Sequence, residues 1–143
     1  MQSDSMDCGP TCLQMILRYY GKEISIQTIR KKTKIGENGV TLLGISEAAE
    51  NMGFKTRSII IEYELLINKA PLPCILHWNH NHFVVLYKIV KNKLFVADPS
   101  IGLIQLIPTD FITHWMGNKN KKQQEGVALV LEPSKTFQSL ISM

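Results

Sequence analysis

The chain of 143 residues has no apolar run near the ~18 residues needed to cross a bilayer, and no secretory segment precedes its first motif. Membrane association is therefore expected to come from sequence beyond these termini. Cysteine is scarce: three residues, an odd count that excludes a complete disulfide framework within one chain. Reduced thiols in a cytosolic setting follow, with a Cys8–Cys12 pair as the minor alternative. No phosphate-binding loop is present, because GENGVTLLG has the glycines of one without its lysine. Aromatic residues are missing from both basic clusters, Arg30 to Lys34 and Lys119 to Lys122. Single-stranded nucleic acid needs cations interleaved with stacking rings, so the net charge of +4 is read as solvated surface, with no nucleic-acid partner. Internal repeats and low-complexity segments are also absent.

What remains is an ordinary globular composition, 45% hydrophobic and 20% charged, at a length that supports one domain with a real core. Asp7 can cap a helix beginning near Cys8, where Pro10 is tolerated only in a first turn. Apolar residues then recur at Cys12, Leu13, Met15, Ile16, Leu17, Tyr19 and Tyr20, which predicts a central, mostly buried helix stopped by Gly21. A second helix fits Ser25 to about Lys32, with Ile26 and Ile29 inward. A third follows Thr41 and uses Leu42, Ile45, Ala48, Ala49 and Met52.

The period then changes. TRSIIIEY, PCILHW, HFVVLYKIV, KLFVAD, GLIQLI and GVALVLE are short, rich in β-branched residues and bounded by turn signals. Asn79 to Asn81 and Lys91 to Lys93 read as tight reversals, and DFITHW as a short helix between the last strands. Helices first and strands second give an α+β class with an antiparallel sheet. The pattern fades after EPSK. The domain is therefore placed at 1–133, and 134–143 is read as the start of a linker to a following transmembrane region.

Cys8 stands in a first helical turn, where unpaired backbone N–H groups and the helix dipole favour a thiolate. Nucleophile and small apolar helix residue are both open readings there. Cys12 lies one turn further on the apolar stripe and Cys74 within a strand, positions that suit inert buried thiols. A base is offered by the crowded HWNHNHF, in which His82 opens a strand. Asp98, before the proline of VADPS, could fix the imidazole by accepting from its second nitrogen. His82 and Asp98 share parity across a hairpin centred on Asn92. That hairpin, however, pairs Asp98 with Leu86, roughly 13 Å along the strand from His82, so a bulge or strong coiling is needed. Cys74, His77, His80 and His82 offer a competing zinc set, but His77 would point away from the other three and the spacing matches no common finger. Gln2, six residues ahead of Cys8, could aim a side-chain amide at the oxygen of a tetrahedral intermediate.

Taken together, Q-x5-C-G-P-T-C-L-x-M-I, YYGK, GVTLLGISEAAENMGFKTR, PLPCILHWNHNHFVVLYKI, VADPSIGL and GVALVLEP resemble the double-glycine leader peptidases, the papain-like domains of peptidase-containing ABC transporters. The resemblance implies a papain-like fold in which N-terminal helices pack on a C-terminal antiparallel sheet. It implies Cys8 as nucleophile, His82 as general base and then acid, Asp98 as its orienter and Gln2 as oxyanion donor. The implied substrate is a bacteriocin-like precursor whose leader ends in Gly-Gly, cut after the second glycine. A narrow cleft beside the sulfur that admits only a backbone without Cβ would explain that choice. The implied partners are that leader and the transporter's membrane and ATP-binding parts, at the inner face of the cell membrane. No cofactor is implied in this domain, ATP belonging to the nucleotide-binding part. A non-catalytic leader-docking module is the alternative.

Overall fold

The computed structural model describes residues 8–33, 35–36, 39–79, 82–116 and 124–134. Three helices come first: α1 (Cys8–Tyr19), α2 (Ile26–Lys32) and, after the short β1 (Ile35–Gly36) and β2 (Gly39–Val40), α3 (Leu42–Asn51). Their ends follow from local chemistry. Gly21, at φ +85°, lets the chain reverse after α1, so that Lys22 N–H reaches Leu17 O at 2.9 Å and Gly21 N–H reaches Arg18 O at 2.9 Å. Ser25 Oγ caps α2 by accepting from Thr28 N–H at 3.2 Å, and Thr41 Oγ1 caps α3 by accepting from Gly44 N–H at 3.1 Å. Asp7, the expected cap of α1, lies outside the described residues.

The second half supplies β3 (Phe54–Glu62), α4 (Tyr63–Lys69), β4 (Cys74–Trp78), β5 (His82–Val90), β6 (Lys93–Asp98), β7 (Gly102–Leu106), α5 (Pro108–Met116) and β8 (Glu125–Pro133). Six of these strands form one antiparallel sheet in the order β3-β8-β4-β5-β6-β7. The class is α+β, as the change of period implies.

Alternate residues of the strands feed two different cores. Ile75, Phe83, Val85, Ala97, Leu129 and Leu131 pack against Cys12, Leu13, Ile16 and Leu17 of α1, Ile29 of α2 and Ile45, Ala48 and Ala49 of α3. Leu76, Trp78, Val84, Leu86, Val96 and Ala128 pack on the other face against Tyr63 and Leu66 of α4 and Phe111 and Trp115 of α5. Helices thus cover both faces of the sheet. The indole of Trp115 lies so close over β8 that a Cβ at Gly126 would run into it, and its Nε1–H donates to Val127 O at 3.1 Å. Two details depart from the sequence reading. Tyr19 is exposed, standing edge-on against Tyr20, because α1 buries a narrower stripe than its apolar content suggests. Tyr63, expected to close a strand, instead opens α4 and is buried on the second core.

Candidate active site

The N-terminus of α1 abuts the end of the sheet where β5 begins and β6 finishes. Cys8, in the first turn of α1, is fully buried. His82 is the first residue of β5 and Asp98 the last of β6, so an antiparallel pair brings them to one end.

Their approach depends on two local features that act together. The β5–β6 reversal is one residue tighter than a turn centred on Asn92. Val90 pairs with Lys93, and Lys91 (φ 48°) and Asn92 (φ 64°) both take the left-handed conformations of a two-residue hairpin turn. Continued in that register (Lys88 with Phe95), Asp98 would stand across from Val85, on the sheet face opposite to His82. A bulge between Leu86 and Lys88, with Tyr87 as the extra residue, shifts the ladder to Leu86↔Val96 and Val85↔Ala97. Asp98 then comes level with Val84. It shares a face with His82 and is two residues from it rather than four, roughly 7 Å along the strand. The turn alone would break the parity, and the bulge restores it and halves the gap.

The remaining distance is closed by the side chains. His82 Nε2 lies 2.7 Å from Asp98 Oδ1, with the two side chains 18% and 4% exposed. The Cys8 side chain is hydrogen-bonded to the same imidazole, which leaves Nδ1 as the ring nitrogen that faces the sulfur. The hydrogen bond to Cys8 first, and then the hydrogen bond and charge of Asp98, raise His82 from 6.5 to about 9 against the opposing effect of burial. Both partners thus favour the protonated ring. Burial pushes Asp98 upward, but bonds from His82 and from the N–H and hydroxyl of Ser100 outweigh it, and its carboxyl sits below the ordinary value.

A buried thiol, an imidazole held by a carboxylate and a helix N-terminus are the parts of a cysteine nucleophile with its proton carrier. Residues 1–119 match the family model described as the peptidase C39 family. The chain belongs to the peptidase C39 family. It is similar to the colicin V secretion/processing ATP-binding protein CvaB of Escherichia coli, 37% identical over 139 residues, which cover 96% of this chain and 18% of that protein. It is also similar to the lactococcin-G-processing and transport ATP-binding protein LagD of Lactococcus lactis subsp. lactis, 35% identical over 121 residues, 81% of this chain and 17% of that protein. The chain thus spans less than a fifth of the length of these curated relatives.

Among solved structures, the C39 chain superposes with TM-score 0.82 on a double glycine motif protease from an AMS/PCAT transporter in complex with the leader peptide, at 29% identity. That match covers 94% of this chain and 89% of the other. It superposes with TM-score 0.78 on the peptidase domain of Streptococcus ComA, a bi-functional ABC transporter involved in a quorum sensing pathway, at 33% identity and covering 93% and 96% of the two chains. The papain-like α+β architecture is common to these peptidase domains.

The other candidates of this C39 domain fall elsewhere. Cys12, one turn below Cys8, is fully buried, and burial, Cys8 and Asp98 in that order hold its thiol well above the ordinary range. Cys74 is buried in the second core and is pushed up to about 12 by burial alone. The His77 ring lies against Phe83, 5.5 Å between centroids, on the opposite side of β4 from Cys74. Among the described residues no group of three or more side chains converges as a metal site. His80 and Gln2 lie outside the described residues. Among those residues no helix is long and apolar enough to cross a membrane. One residue that sequence reasoning passed over is Ser100, whose hydroxyl donates to Asp98 Oδ1 at 2.8 Å. The signal was available: Asp-x-Ser at a strand end is a turn pattern in which side chains bond back to neighbouring backbone.

Proposed function

We propose that this chain is a cysteine endopeptidase that removes the leader of a bacteriocin-like precursor by cutting after a Gly-Gly pair. The cut is coupled to export by a transporter of which residues 1–133 are the peptidase domain. On this reading the domain works at the cytoplasmic face of the membrane, and residues 134–143 begin the linker to the rest of the transporter. The observation that carries the reading is the single hydrogen-bonded chain Cys8–His82–Asp98 at the N-terminus of α1.

The Cys8 sulfur attacks the carbonyl carbon of the second glycine. The carbonyl electron pair moves to oxygen, and the proton lost by the thiol is held on His82. Collapse of the intermediate breaks the C–N bond, and His82 gives its proton to the departing amine. Water then attacks the thioester, His82 taking its proton and returning one to sulfur. Asp98 keeps the Nε2 side of the ring fixed, so that the same nitrogen faces the sulfur throughout. Gln2 donates its amide to the oxyanion. Gln2→Ala should therefore lower kcat by about a hundred- to a thousandfold with KM nearly unchanged. Incubation with a peptide whose leader ends in Gly-Gly should yield two fragments by mass spectrometry, divided after the second glycine. Stoichiometric binding with no fragment would make the chain a docking module.

A further inference from the structure

The Asp98–Gly102 pair closes a turn in which Ile101 N–H donates to Asp98 O at 3.1 Å. Ser100, within that turn, has a second set of bonds directed at the site. Its backbone N–H donates to Asp98 Oδ1 at 2.9 Å and its hydroxyl donates to the same oxygen at 2.8 Å. The hydroxyl oxygen also lies 3.4 Å from His82 Nε2. Three donors therefore converge on one carboxylate oxygen: the ring N–H, an amide N–H and a hydroxyl. Having given its only proton to Asp98, the hydroxyl turns lone pairs toward the ring N–H, a direction in which it can only accept.

We propose that Ser100 is a positioning residue of the hydrolytic site: its hydroxyl fixes the Asp98 carboxylate in the rotamer that meets His82 and supplies a second acceptor to Nε2–H. The proposal rests on the peptidase reading above and extends its hydrogen-bonded chain Cys8–His82–Asp98 by a fourth side chain. The physical reason is economy of freedom. A carboxylate at a strand end can rotate about its Cβ–Cγ bond, and each donor that meets Oδ1 holds that oxygen against the rotation. The Ser100 hydroxyl adds its bond to those of the amide N–H and the ring on the same oxygen, so that Oδ1 stays where it meets Nε2. The ring, bracketed by Oδ1 and Oγ, is held with Nε2 as the donor and Nδ1 toward the sulfur. A purely structural role for Ser100 would reside in its backbone bonds, which an alanine keeps.

Ser100→Ala and Ser100→Thr, with thermal midpoints measured first, separate the two roles. The alanine variant should lose about tenfold in kcat on a Gly-Gly leader peptide at unchanged KM, and threonine, which restores the hydroxyl, should recover most of it. Wild-type kcat in the alanine variant, or a threonine variant no faster than alanine, would overturn the proposal. A second readout needs no cleavage. In the Cys8→Ala background, the ¹³C carboxyl titration of Asp98, whose titratable neighbours are His82 and Cys12, should move to higher pH when Ser100 becomes alanine. A fixed midpoint would overturn the role of Ser100 even where the wild type proves unable to cleave, a result that would count separately against the peptidase reading.

Discussion

Where α1 meets the start of β5, a fully buried cysteine and a histidine lie in contact. Where α5 crosses β4, the other core also holds a fully buried cysteine, Cys74, and a histidine, His114, lies half-buried at its margin. The degree of burial is the same for the two thiols, so burial does not separate them. Their company does. Cys74 pairs with Leu86 in an apolar core that also holds Leu76, Trp78 and Val84, and its only perturbation is desolvation. Cys8 touches an imidazole that is itself tied to a carboxylate. The histidines differ in the same way. His114 stacks on Trp78 with ring planes 12° apart and donates from Nδ1 to the neutral amide oxygen of Asn79 at 2.9 Å. His82 has a charged acceptor and a sulfur. Proton transfer to a nucleophile needs a carrier and a charge to hold it, and only the α1 region has both.

The sharpest way to break that comparison is to exchange the thiols for alanine one at a time. Cys8→Ala should abolish cleavage, a loss of more than about 10⁴-fold, while leader binding persists in a titration with the uncut peptide. Cys74→Ala should cleave at close to the wild-type rate and show its effect in the thermal midpoint. An active Cys8→Ala protein would remove the basis of the enzymatic reading.

The histidines give the next largest contrast. His82→Ala should lose roughly 10²- to 10⁴-fold in kcat, the usual share of a general base. His114→Ala should retain kcat and lose stability instead. An aromatic pair contributes about 0.5–1.5 kcal/mol, which here corresponds to a midpoint lower by a few degrees. Equal kinetic losses at the two histidines would dissolve the distinction between the regions.

Asp98→Asn tests the charge alone. The amide keeps an acceptor oxygen for His82 Nε2, so part of the rate should survive, with a loss smaller than about a hundredfold. The carboxylate charge is one of the reasons His82 sits at about 9, so removing it should lower the His82 value. The alkaline limb of the kcat/KM profile, where the ring loses its proton, should then move to lower pH. An unmoved limb would mean that Asp98 orients the ring without contributing charge.

The parts of this arrangement were unevenly legible in the sequence. The chemistry of Cys8 and the strand that His82 opens could be read from residue type and spacing, whereas the shared face of His82 and Asp98 came out as expected only because a bulge cancels the effect of a tighter turn. The contact itself could not. It depends on Lys91 and Asn92 closing the hairpin one residue early and on Tyr87 being left out of the ladder, and neither feature leaves a compositional mark in LYKIVKNKLF. The bulge is a tertiary decision: Val85 and Ala97 must face the α1 core while Leu86 and Val96 face the other, and the extra residue is placed where both requirements are met. The α4 helix escaped for a related reason. It follows β3 at Glu62 with no breaker between them, and its two turns bury only Tyr63 and Leu66, too short a stripe for a helical period to stand out.

The smallest expected effect concerns stability. Folding raises His82 from 6.5 to about 9, through the Cys8 hydrogen bond first and Asp98 after it, against burial. A group that binds its proton more tightly in the folded state stabilises the fold fully below its unfolded value, and that contribution is lost as pH rises through the folded value. The His82 contribution should therefore be intact below pH 6.5 and decline up to about 9. Asp98 is shifted the other way, downward, so its contribution is present above the ordinary carboxyl range and is lost only in acid. It stays constant across the His82 window and does not obscure it. Urea midpoints of the wild type and of His82→Gln, measured at pH 6 and again above pH 9, isolate the effect: the wild type should lose its advantage over the variant as pH rises. Parallel decline of the two proteins would show that the ring holds its proton no more tightly in the folded chain than in the unfolded one, and the contribution of the His82–Asp98 pair to the fold would have to be abandoned.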